Sequence, residues 1–181
     1  MRIITISLAA LALTACETYS SSPYMASTQN VIDIEDRVGE ARVRLGDFSS
    51  DPEVNDRPIC RLTAPLDVSP GVPVSEYVRQ AMLTELHQAR VHSSSADTVI
   101  EGTLDRLAFS ATGTGSWGFT LSLRSNRHPD GYTVSSEHAF STSFDGHMAC
   151  TNGINAFAPA VSTLINAAVN HPEFPRLAGA Q

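Results

Sequence analysis

Between Trp117 and Arg124 the chain alternates without interruption. Trp117, Phe119, Leu121 and Leu123 are large and apolar, while Gly118, Thr120, Ser122 and Arg124 are small or polar. A period of two marks a strand with one face in a core and the other in water. The same rhythm runs on either side, in Thr98 to Ser110 and in Tyr132 to Phe144. In the last of these, Tyr132, Val134, Phe140 and Phe144 share one side. Thr133, Ser135, Glu137, Ser141 and Ser143 share the other. In the first, Ile100 and Leu104 fall out of phase with Leu107 and Phe109, which predicts a bulge near Asp105. Thr112 to Gly115 and His128-Pro129-Asp130-Gly131 are short and rich in turn residues. The three strands are therefore expected to be antiparallel neighbours joined by hairpins.

Two helices are expected around this block. From about Val74 to Val91, residues Val74, Val78, Ala81, Met82, Leu86 and Ala89 recur at helical spacing, and Ser93-Ser94-Ser95 reads as the stop. From about Asn152 to Asn170, residues Ile154, Phe157, Val161, Leu164, Ile165 and Ala168 form a second stripe. Pro159 inside it removes a backbone hydrogen bond and predicts a bend or an irregular first turn. Pro172 and Pro175 block any continuation. Val31 to Ile34 and Ala41 to Leu45 alternate and read as strands, and Ile59 to Leu62 as a short edge strand. The expected fold is α+β: an antiparallel sheet of about four strands with two helices on one face, in the order β-α-β-β-β-α.

The N-terminus carries an address. Arg2 is followed by the apolar run Ile3 to Leu13, which has the length of a signal-peptide core and is too short to span a bilayer. It ends in Leu13-Thr14-Ala15-Cys16, which resembles the lipobox of bacterial lipoproteins. That resemblance implies cleavage between Ala15 and Cys16, a diacylglycerol on the Cys16 sulfur and acylation of the new N-terminus. In that family an Asp after the cysteine tends to retain the protein in the inner membrane. Glu17 stands there, so the expected address is the periplasmic face of the outer membrane, with the inner membrane as the alternative. The resulting plan is a signal peptide over 1–15, a lipidated, Ser/Thr/Tyr-rich tether over 16–30, and one periplasmic domain over 31–181. The domain is similar in element order to small YajG-type envelope accessory lipoproteins, a likeness that carries over no residue.

With Cys16 assigned to lipid, Cys60 and Cys150 remain, and two cysteines in an exported chain are expected to pair. The alternatives are two buried thiols, or a metal site using His147 and Cys150. The formal net charge is −7, which disfavours a phosphate backbone, so nucleic acid is not an expected partner. The expected partners are the membrane, through the anchor, and an envelope protein.

Motifs for chemistry are sparse. Gly113-Thr114-Gly115-Ser116-Trp117-Gly118 matches a dinucleotide-binding spacing, but a strand follows it where phosphate binding needs a helix N-terminus. The six histidines are dispersed; His87 with His92, and His147 with Cys150, are the nearest to metal-ligand spacing. His138 falls in phase with Val134 and Phe140, as a core or edge histidine would. No catalytic residue, metal or cofactor is assigned. The expected function is a non-catalytic accessory or interaction role, with Thr120, Ser122, Thr133, Ser135, Ser141 and Ser143 as the partner face. Two rival readings are a small lipid or cell-wall fragment bound in the helix-sheet seam beside Trp117, Phe140 and Phe157, and an enzyme built on His138 or His147.

Overall fold

The computed structural model describes residues 21–62 and 64–180; the signal segment, Ala15, Cys16 and Glu17 lie outside the described residues. Helix α1 (Thr28–Val38) leads into strand β1 (Val43–Ser50), a small β2 (Ile59–Cys60) and β3 (Ala64–Pro65), and helix α2 (Val74–Gln88). The long strands β4 (Thr98–Ser110), β5 (Gly115–Ser125) and β6 (Tyr132–Phe140) follow, and then helices α3 (Gly146–Asn155), α4 (Phe157–Val169) and α5 (Phe174–Ala178).

The four-stranded sheet has the order β1-β4-β5-β6. Its β4-β5 and β5-β6 pairs are the antiparallel hairpins that the alternation predicts. The register shifts between Leu104 and Arg106, so the bulge sits at Asp105. Before it the even residues Ile100, opposite Ser125, and Leu104, opposite Leu121, are buried in the core; after it Leu107 pairs with Phe119 and Phe109 with Trp117. One extra residue reconciles the two phases.

Three expectations are corrected. The sheet is mixed, because β1 runs parallel to β4. That orientation follows from topology, since β1 is linked to β4 through α2, a crossover long enough to bring the chain back to the same end. Val31 to Ile34 is helical, within α1. Ser27 caps that helix by accepting from the Asn30 N–H, and Asn30, Ile34 and Val38, four apart, are its buried stripe. Four residues are too few to tell a period of two from one of 3.6. Ile59–Cys60 belongs to a separate two-stranded ribbon with β3, not to the edge of the main sheet.

The last helix is broken as Pro159 requires. Ala156 closes α3 and opens α4, so Pro159 falls in the first turn of α4, where its missing N–H costs nothing. Helix α2 stops earlier than the serines, because Arg90 takes φ 57° and the Val91 and His92 amides turn back to the Leu86 carbonyl.

The helices pack on one face of the sheet. Trp117, Phe119, Leu121, Ile100 and Leu104 from the strands meet Val78, Met82 and Leu86 of α2 and Phe157, Val161, Leu164 and Ile165 of α4, all buried. Each such side chain contributes about 1.5–3 kcal/mol when removed from water. The structure joins Cys60 to Cys150, with Cα atoms 5.9 Å apart, tying the ribbon to α3 across 90 residues of sequence. Among the described residues no helix is long and apolar enough to cross a membrane.

Candidate functional site: the outer face of the sheet

The alternation that buries one face of β4, β5 and β6 leaves the other to hydroxyls and charges. Thr120 stands opposite Ser135, with their oxygens 3.1 Å apart, and Ser122 stands opposite Thr133 at 2.8 Å. The bulge aims Asp105 at the same place, and its Oδ2 accepts from Ser122 Oγ at 2.7 Å. A serine hydroxyl has one proton. Because Ser122 gives it to Asp105, Thr133 must donate to Ser122, and the three residues form a directed chain across three strands. Beside it Arg124 pairs with Glu101 at 2.9 Å, and Ser49 Oγ on β1 lies 3.4 Å from Thr103 Oγ1.

Hollows open along this face. One hollow of about 320 Å³ is lined by Asp47, Glu101, Thr103, Ser122, Asp130 and Thr133, among others. A second of about 580 Å³ shares Asp47, Glu101 and Arg124 with it. Three carboxylates against the single guanidinium of Arg124 make the first hollow acidic. It offers acceptors and negative charge to a ligand with donors. A third hollow, of about 460 Å³, lies toward the other end of the strands, beside Arg106, Ser116, Gly118, Ser135 and Glu137.

Of the six residues expected to make the partner face, Thr120, Ser122, Thr133 and Ser135 are brought together on it. Ser141 and Ser143 are not, because β6 ends at Phe140. The Ser141 carbonyl accepts from Asn152 and the Ser143 carbonyl from Arg61, so both serve the end of the domain. Asp47, Glu101, Asp105 and Arg124 complete the site and were missed. Asp105 had a signal in the phase break, which placed it at a bulge where side chains are re-aimed, and Arg124 had one in the alternation that sets it beside Ser122 on the wet face.

The histidines are held elsewhere. His138 faces the helices, with Nδ1 3.0 Å from Thr163 Oγ1, so the sheet separates it from the Ser122 hydroxyl. The His87 and His92 rings meet at a tilt with centroids 4.2 Å apart; burial, then the neighbouring His87, holds His92 below the ordinary histidine range. Cys150 is committed to the disulfide and is not available with His147 for a metal. Among the described residues no group of three metal-ligating side chains forms. The Gly113 to Gly118 stretch makes the β4-β5 turn and the start of β5, as the hairpin reading requires. The seam between helices and sheet is packed with rings: Phe157 lies 5.1 Å from Trp117 in an edge-on contact and 6.1 Å from Phe119, and the Trp117 N–H donates to the Gly153 carbonyl.

No family model matches the chain, and no curated protein does. Solved structures do resemble it. A Xanthomonas campestris protein of the family model DUF330 superposes with a TM-score of 0.53 and 11% identity, over 88% of this chain and 91% of that one. The crystal structure of an uncharacterized protein gives 0.42 and 12%, over 83% and 95%. A PelC dodecamer from Paraburkholderia phytofirmans gives 0.32 and 15%, over 80% and 92%. The likeness to the DUF330 protein is one of fold: both are α+β domains of this plan.

Proposed function

We propose that the chain is a lipid-anchored accessory protein of the bacterial cell envelope, without catalysis of its own, that docks a protein partner on the outer face of its sheet. The observation that carries the docking surface is the Thr133–Ser122–Asp105 chain with the acidic hollow beside it, on a sheet face that no described helix covers. A partner presenting arginine, lysine or backbone N–H groups suits that face, because its acceptors outnumber its donors. The lipobox resemblance at Leu13 to Cys16 supports the anchor, with the outer membrane as its site. The ring-filled seam gives the rival lipid-binding reading no support.

The test is crosslinking in intact cells followed by affinity purification. A stoichiometric envelope protein that is lost on Ser122→Arg and Ser135→Arg supports the reading. A partner retained by both variants removes this face from it.

A further inference from the structure

One pole of the domain carries large apolar side chains in water. Leu62 is 96% exposed, Phe144 106%, Ile59 61% and Met148 50%. They lie on two segments fastened together. Ile59 and Leu62 flank Cys60 and Arg61 in the β2-β3 ribbon, while Phe144 and Met148 bracket the start of α3, two residues before Cys150 in the case of Met148. The disulfide joins the segments, and Arg61 Nη2 donates to the Ala111 and Ser143 carbonyls at 2.8 Å each. Arg61 and Leu62 both adopt positive φ, 49° and 58°, a conformation that costs an L-residue about 1–2 kcal/mol. The turn is thus built, at a cost, to hold Leu62 outward. A fixed apolar cluster of this kind marks a contact surface.

The N-terminal segment reaches the domain at this same pole. Ser21 Oγ donates to the Val68 carbonyl and Tyr77 Oη to the Ser22 carbonyl, while Leu66 N donates to the Pro58 carbonyl next to Ile59. Five residue steps separate Ser21 from Cys16. At about 3.5 Å per residue they span about 18 Å at most. A lipid on Cys16 therefore keeps this pole close to the bilayer.

We infer that the pole formed by Ile59, Leu62, Phe144 and Met148 is a membrane-contact surface that inserts into the lipid headgroup region beneath the anchored domain. This rests on the lipid-anchored reading of Cys16. The neighbouring loop carries Asp51, Glu53 and Asp56, and Asp145 caps α3, so the contact is apolar burial and not attraction to anionic lipid. It orients the domain, with the β4-β5 turn end toward the bilayer and the long axis of the sheet rising from it.

The lipidated full-length protein, purified from membranes and reconstituted in phosphatidylcholine vesicles, tests this. Nitroxide labels are placed in turn at Leu62→Cys, Phe144→Cys and, as a control on the outer sheet face, Thr133→Cys. All three side chains are exposed, so folding is preserved. The expected result is that labels at 62 and 144 are severalfold less accessible to a water-soluble nickel complex than the label at 133, and more accessible to oxygen, at low and high salt alike. Equal nickel access at all three positions overturns the inference, as does dipolar broadening between copies at 62, which would assign the pole to self-association. The mass of the N-terminal peptide separately reports whether Cys16 is lipidated. If it is not, the same vesicles are mixed with the unlipidated protein: co-sedimentation abolished by Leu62→Ser with Phe144→Ser supports the surface, and absence of co-sedimentation ends it.

Discussion

The hydroxyl of Tyr24 donates to Oε1 of Glu85, a side chain with no solvent exposure in the last turn of α2. The same oxygen accepts from the Ser27 amide and from Asn30 Nδ2, each at 3.0 Å. Burial, and then the hydrogen bond to Glu85, pushes the Tyr24 phenol well above its ordinary range, so it stays a donor. Three donors on one buried acceptor fasten residues 24 to 30 to the helix layer. Glu85→Ala takes this acceptor from all three, with Asn30 Nδ2 keeping another in the Ser162 carbonyl, and is expected to cost about 3 kcal/mol. Urea denaturation measures it; a loss within about 0.5 kcal/mol, the range of an ordinary surface substitution, would contradict the role.

The Cys60–Cys150 bridge closes a loop of 90 residues. On the chain-entropy relation its removal is expected to cost about 4.6 kcal/mol. Cys60→Ser with Cys150→Ser should lower the denaturation midpoint, and reductant should lower that of the native protein but leave the variant unchanged.

Asp33 on α1 accepts from Asn170 Nδ2 at 2.7 Å, from Gln29 at 2.8 Å and from Asn166 at 3.3 Å. Asn170 first, then Gln29, holds its carboxyl below the ordinary value of 3.8. A depressed folded pKa stabilises the protein above the unfolded value, and that contribution is lost as pH falls through the folded one. Stability is therefore expected to fall below pH 3.8, and Asp33→Asn to flatten that part of the profile. Parallel profiles for the two proteins would contradict it.

Gly131 closes the β5-β6 hairpin at φ +60°, where an added Cβ would lie 2.0 Å from the Leu123 carbonyl oxygen. Gly131→Ala must shift the turn and is expected to destabilise by about 2 kcal/mol or more. Thermal unfolding measures this, and an unchanged midpoint would show that the turn relaxes freely.

The sheet was legible in the sequence where side chains alternate over many residues, as in Trp117 to Arg124, and even the Asp105 bulge showed as a phase break. The helices were legible where an apolar stripe persisted, and Pro159 announced the break in the last. What failed was short or tertiary in origin. Val31 to Ile34 offered four residues to two competing periods, and the parallel β1-β4 pair is set by a crossover that no local pattern records. Residues 24 to 30 are polar and read as tether, yet they are held by a buried Glu85 thirteen positions before the β4 start. Of the candidate site, the hydroxyls followed from alternation. The acidic hollow did not, because Asp47, Glu101 and Asp130 come from three separate segments that only the fold assembles.

The central claim is that the outer sheet face holds an envelope partner. Its most direct measurement is photo-crosslinking in intact cells from an analogue placed at Thr133 or Ser135, with mass spectrometry of the adduct. The account predicts one predominant envelope protein, crosslinked from both positions and lost on Ser122→Arg. An anchored, folded protein that yields no adduct from either position would contradict it.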